Sequence, residues 1–165
     1  MENATFTVTD DLLASQGQRF LNFGIDMLIQ YVIILGMGTT IQLIADITNN
    51  YALSDWLESM SRSELLFYVV FTAFFYYYLT EMYFSRTFAK YFTKTIVVTK
   101  EGSKPHYKAI FIRTLCRFIP FEAFSFLSES LRGWHDRFSG TYVVRKKRLT
   151  QKRDLFYHFD EIAKV

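Results

Sequence analysis

Cysteine and histidine are scarce in this chain of 165 residues: Cys116 stands alone, and the histidines are His106, His135 and His158. A single thiol excludes a disulfide scaffold, and one cysteine with three scattered histidines argues against structural zinc. No glycine-rich phosphate loop, no His/Glu spacing of a metal hydrolase and no nucleophile beside a base is present, so neither an enzyme nor a cofactor is expected. The adjacent pair His135-Asp136 reads as a loop rather than a catalytic dyad. Low-complexity tracts and repeats of solenoid length are missing as well. Aromatic residues, by contrast, are abundant: 18 Phe, 11 Tyr and 2 Trp, 19% of the chain. That content excludes disorder for most of the sequence, and the length permits one ordinary domain.

Charge is the other scarcity, confined to two stretches. Residues 20–45 hold 26 positions and one charge, Asp26; residues 65–84 hold 20 positions and one charge, Glu81. A bilayer core about 30 Å thick needs about 20 apolar residues as a helix. Both stretches are therefore predicted to span. Reading them as buried core helices of a soluble protein leaves too little chain to cover two of them. The first begins behind a polar acidic segment without a basic leader, so it is expected to stay as an anchor. Ser15 and Gln18 fit a capping box at its start.

The connecting segment, residues 46–64, holds four acids and Arg62. Residues 86–117 and 132–153 each hold eight basic residues and one acid, a balance of +7 apiece. Positive charge stays on the cytoplasmic side. The connecting loop is thus expected outside, and both basic regions and the N-terminus inside, in a cytoplasmic (inner) membrane of bacterial type.

A third apolar segment, residues 109–127, separates the two basic regions. Arg113, Arg117 and Glu122 lie in it, each costing about 2.5–3.5 kcal/mol at mid-bilayer on insertion scales. Pro120 interrupts it near the centre. A re-entrant or interfacial helical hairpin over about 107–131, broken at Pro120, satisfies the charge arithmetic; a third span is the alternative. Residues 95–99 and 141–144 read as short strands that can pair only on one side of the membrane, and residues 5–9 could add a third. Leu155, Phe156, Phe159 and Ile162 place an amphipathic helix at the C-terminus. The expected fold is an all-α membrane protein with two transmembrane helices, the hairpin and a small cytoplasmic β element. Residues 1–18 form a cytoplasmic tail, 19–145 the membrane domain and 146–165 a basic, amphipathic tail.

The charges inside apolar segments are the candidate functional residues. Arg19, Asn22, Asp26 and Gln30 fall on one helical stripe. Arg19 and Asp26 are about 10 Å apart along the axis, too far for direct contact without an intermediary. Arg113 and Arg117 form a matching basic stripe, and the simplest pairing brings them to Asp26, Glu81 or Asp136. A structural ion-pair network docking the hairpin is one reading; a cation or proton pathway through Asp26 is the other. Lys90 and Lys94, opposite Phe88, Tyr91 and Phe92, read as a surface helix with its lysines towards lipid phosphates. The run Arg145, Lys146, Lys147 and Arg148, with Lys152 and Arg153, also reads as an anionic-lipid contact; no recognition motif supports nucleic acid as the partner. Trp56 and Trp134 sit where interfacial aromatics do, and Tyr76, Tyr77 and Tyr78 are expected in core packing.

Four motifs together resemble the RDD family of small membrane proteins, named for one Arg and two Asp. GQRFLNFGID supplies Arg19 and Asp26. SRTFAKYFTKTIVV supplies Thr87 and Lys90, with Ser85 and Ala89 where the family commonly has glycine. RTLCRFIP supplies Arg113, Arg117 and Pro120, and DRFSGTYVV supplies Asp136, Arg137, Gly140 and Thr141. The resemblance covers roughly residues 19–145 and implies a polar cluster of Arg19, Asp26, Asp136 and Arg137, with Glu81, Arg113 and Arg117 as ion-pair partners. It implies no single activity: some relatives are linked to cation/proton exchange, and others look like non-catalytic membrane subunits. The expected function is a membrane accessory or scaffold with a membrane-protein partner. The alternative is a cation/proton antiporter or ion-conducting homo-oligomer using Asp26.

Overall fold

The computed structural model describes residues 5–120, 122, 125 and 132–162. The chain enters α1 (Gln16–Thr48) at Ser15, whose hydroxyl accepts from the Gln18 amide while the Gln18 side chain returns to the Ser15 amide. This is the expected capping box, and it satisfies two backbone donors that a helix start leaves open. At 33 residues the helix is about 50 Å long at 1.5 Å per residue, more than the hydrocarbon core requires. Asn49, with φ of 52°, ends it. A short α2 (Ala52–Glu58) turns the chain into α3 (Arg62–Phe84), which starts with a second capping box, Ser61 with Glu64.

Both α1 and α3 are long and apolar enough to cross a membrane. The share of buried residues in their most apolar windows is 0% and 22% respectively. A core helix of a soluble protein would be mostly covered, whereas Leu28, Tyr31, Leu66 and Phe67 are exposed. These surfaces match a hydrocarbon solvent.

After α3 come α4 (Phe88–Phe92), β1 (Thr95–Val98), α5 (Tyr107–Cys116), α6 (Trp134–Phe138), β2 (Tyr142–Arg145) and α7 (Lys146–Ile162). The two strands expected from the sequence pair antiparallel, from Thr95 opposite Arg145 to Val98 opposite Tyr142. Residues 5–9 do not form a third strand. Val8 makes one ladder-like bond, to the Lys100 carbonyl at 2.8 Å, before Asp10–Leu12 wind into a 3-10 turn that keeps its bonds local. The chain regains the sheet beyond that turn, where Ala14 donates to Val143 at 2.9 Å and Leu13 bridges Val144. A small apolar core of Phe6, Leu12, Leu13, Val98, Val144 and Leu149 forms there.

Gly102 closes the turn after β1 at φ +75°, and a Cβ on it would lie 3.0 Å from Phe6 Cε1. Both the left-handed backbone and the approach of Phe6 require glycine. The C-terminal helix begins earlier than expected, directly after β2. Phe156 meets Phe6 edge-on at 5.7 Å between ring centroids, while Leu155, Phe159 and Ile162 are exposed.

The first arm of the expected hairpin is α5, which packs on α3 and α6. Phe111 stands edge-on to Phe74 at 5.8 Å. Successive turn bonds from Arg117, Phe118 and Ile119 carry the chain towards Pro120. Most of the return arm, residues 121, 123, 124 and 126–131, lies outside the described residues.

Candidate functional site

The N-terminal turns of α1 and the C-terminal turns of α3 meet at one end of the helix pair, and α4, α5 and α6 close over them. The charged residues that meet here are buried, apart from Arg117, which is half-buried. Arg113 is at the centre, fully enclosed. Its Nε donates to Glu81 Oε2 at 2.8 Å, and its Nη1 donates to Asp136 and to Thr141 Oγ1. Asp136 also accepts from Arg19. Glu81 Oε1 takes Lys90 Nζ at 2.6 Å and Arg117 Nη2 at 2.9 Å. The Arg117 guanidinium lies 4.2 Å over the Tyr77 ring, a contact that favours a desolvated cation. A charge can be buried only when paired and hydrogen-bonded, and these five elements supply the pairs for one another.

Asp26 is in the same cluster but meets no cation within salt-bridge distance among the described residues. Its carboxylate accepts from Tyr76 Oη at 2.6 Å, Thr87 Oγ1 at 2.7 Å and the Ala89 amide at 3.2 Å. Thr87 and Ala89 begin α4, so a side chain of α1 caps that helix from outside. Of the three carboxylates offered to Arg113 and Arg117 by the sequence reading, Glu81 and Asp136 receive them; Asp26 does not. Beside it, Asn22 donates to Thr95 at 3.2 Å and accepts from Thr93 at 2.6 Å, tying α1 to the start of β1.

Three expectations are corrected. Lys90 does not face lipid phosphates: it is 2% exposed, while Phe88, Tyr91 and Phe92 point outward. The amphipathic pattern was right and its orientation reversed, because Glu81 offers the ammonium a buried partner. Burial pushes the Lys90 amine down to about 8 even so. Lys94, at the end of α4, is exposed. Arg137 is exposed and outside the cluster; its neighbour His135 turns inward instead. His135-Asp136 is accordingly not a loop but the buried face of α6.

The His135 ring Nδ1 bonds Glu122, and Nε2 lies 3.4 Å from Asp136. Burial, with Arg113 beside it, pushes the imidazole down to about 4. The neutral ring then donates from Nδ1. Burial opposes ionisation of Glu122, but this bond holds its carboxyl below the usual range. Burial opposes Asp136 too, and Arg113, His135 and Arg19 outweigh it, holding the group well below an ordinary carboxylate.

Tyr76 and Tyr77 are buried as expected but are more than packing, since one hydrogen-bonds Asp26 and the other carries Arg117. Gln30, last on the α1 stripe, is half-buried. Trp56 and Trp134 are exposed. Of the basic run, Lys146, Lys147 and Arg148 are exposed and Arg145 is half-buried. Sequence reasoning missed Thr93 and Thr95 and named Thr87 and Thr141 only as motif matches, yet all four hydroxyls complete the cluster. The threonines recurring just before each strand were the available signal.

The residues for which one membrane-protein family is named, an arginine and two aspartates, thus meet in one buried site as Arg19, Asp26 and Asp136. Comparison with curated proteins and with solved structures returned no match. The family model described as RDD family matches residues 13–140, spanning the helix pair, the sheet's first strand and the whole ion-pair cluster; the chain belongs to the RDD family.

Proposed function

We propose that this protein is a non-catalytic scaffold of the cytoplasmic membrane, whose buried cluster locks a cytoplasmic sheet onto two spans and so presents a rigid surface to a membrane-protein partner. The observation that carries this reading is the saturation of the carboxylates. Every oxygen of Asp26, Glu81 and Asp136 already accepts at least one donor from another element. A site that exchanges cations needs an acceptor it can release, and a closed network serves fixation better.

In this reading the N-terminus and both basic regions are cytoplasmic, and the 107–131 segment returns to the side it left. The ladder between residues 95–98 and 142–145 supports that placement, since paired strands share one side of a membrane. The exposed Lys94, Lys146, Lys147 and Arg148 then sit beside anionic headgroups.

Three experiments test the proposal. Isolation in mild detergent should recover a stoichiometric partner; repeated recovery of the bare chain would count against a scaffold. Proteoliposomes should show no flux of Na⁺, K⁺ or H⁺. A flux abolished by Asp26→Asn in folded protein would replace the scaffold with cation/proton exchange, in a homo-oligomer, because two spans lack the repeats of familiar transporter folds. Cysteines placed at Ser59, Ser103 and Ser139 in a Cys116→Ser background should label from outside, inside and inside. Opposite accessibility of Ser103 and Ser139 would overturn the topology.

A further inference from the structure

The cluster has every carboxylate oxygen of Asp26, Glu81 and Asp136 engaged and donors to spare. Arg19 Nη2, Arg113 Nη2 and Arg117 Nε are buried with no hydrogen-bond acceptor among the described residues. The same three arginines, with Lys90, Asn22, Phe23, Asp26, His135 and Val143, line a cavity of about 20 Å³. The wall therefore carries four cations and one carboxylate. The two other carboxylates of the network, Glu81 and Asp136, are not part of that wall.

We propose that this cavity binds one small monovalent anion, of the size and charge of chloride, on the unpaired N–H groups of Arg19, Arg113 and Arg117. Three lines of chemistry converge. Guanidinium N–H groups only donate, and a buried donor without an acceptor is costly. The volume accommodates one water-sized particle, which excludes phosphate, sulfate and carboxylic metabolites. A water molecule is the competing occupant, but it brings two donors of its own. Every side-chain oxygen in the wall already takes at least one donor, from Tyr76, Thr87, Ala89 or Thr93, and three unpaired cationic donors favour a full negative charge over a water dipole. A halide has no proton to place. This inference goes beyond the scaffold reading and stands or falls apart from it, because its test involves neither a partner nor ion flux across a bilayer.

The test uses the full chain in chloride-free detergent or nanodiscs, titrated with sodium chloride against sodium gluconate at matched ionic strength. Chloride should raise Tm by about 3–5 °C at tenfold excess over its Kd, and the chain should broaden the ³⁵Cl resonance, with bromide reversing the broadening. Val143→Ile places one more methyl at the cavity without touching a charge, and should abolish both effects while the protein stays folded. Arg117→Lys keeps the charge but removes the Nε donor, and should weaken chloride at least tenfold. Equal responses to chloride and gluconate, absence of bromide-reversible broadening in the wild type, or chloride effects unchanged in folded Val143→Ile would each overturn the proposal and leave a water molecule only.

Discussion

Arg19 donates to Asp136 across 117 residues of chain, joining the first turn of α1 to the last helix before β2. Both side chains are buried, the arginine at 3% exposure and the aspartate at 0%. Asp136 also serves Arg113, which reaches on to Glu81. A single run of alternating charges thus connects α1, α6, α5, α3 and α4, and every link but Lys90–Glu81 joins residues distant in sequence.

Removing the hub should be costly. Arg113→Met leaves Glu81 and Asp136 short of a cation inside the protein, and breaking one side of a buried pair costs about 3–5 kcal/mol. Chemical unfolding in nanodiscs should show a loss of that size. The cycle of Arg19→Met with Asp136→Asn should return a coupling of about 2–3 kcal/mol. A coupling near zero would mean that the contact is incidental.

Acid should loosen the protein through His135. Its ordinary pKa is 6.5 and burial pushes it down to about 4. Between those values the unfolded chain takes up a proton that the folded chain refuses. Stability therefore falls as pH drops through this window, by about 3 kcal/mol in total. His135→Gln should flatten the pH dependence of Tm between pH 6.5 and 4. Asp136 contributes in the same direction, its share being lost progressively as pH falls below the ordinary carboxylate value of 3.8.

Asp26 should respond to the loss of acceptors rather than of charge pairing. All three of its contacts are donors to the carboxylate. An Asn side chain offers one oxygen and turns an NH₂ towards the others, so Asp26→Asn should cost about 1–3 kcal/mol. Thr87→Val should cost less, about 1 kcal/mol, since it removes one donor and leaves the others in place. Thermal unfolding of the two variants in one detergent checks the order.

Ser85 caps α3 in the left-handed region at φ of 55°, at a position where the family commonly carries glycine. The conformation strains any residue with a Cβ. Ser85→Gly should stabilise the protein by about 0.5–1 kcal/mol. Gly102→Ala should act oppositely, losing at least about 1 kcal/mol because its new methyl meets Phe6 at a backbone angle that alanine avoids. Tm measurements on both variants decide the signs.

The two helices long and apolar enough to span were legible because a bilayer imposes a length, and 26 and 20 residues with one charge each meet it. The two strands and the Ser15 cap were legible because they are local. That Arg113 and Arg117 would seek partners among Asp26, Glu81 and Asp136 followed from the cost of an unpaired charge in an apolar setting. Other features needed three dimensions. An amphipathic pattern such as 88–92 says that two faces differ, not which one is inside, so Lys90 was assigned to lipid. Hydroxyl partners leave no trace in charge arithmetic, so the sequence offers Asp26 as one of three carboxylates for the arginines, whereas Tyr76 and Thr87 hold it. Along 134–138 a one-residue rotation exchanges Arg137 for His135, and nothing local chooses between them.

The separation between Asp26 and its donors has a consequence for biosynthesis. Tyr76, Thr87 and Ala89 follow Asp26 by 50, 61 and 63 residues, and Asp136 follows Arg19 by 117. The ribosome therefore delivers the first helix to the insertion machinery long before its polar face has anything to bind. That helix must wait at the insertion site, or with its polar end still in water, until the chain has been made as far as α6. Final assembly is then a late event, completed only once α6 has been made.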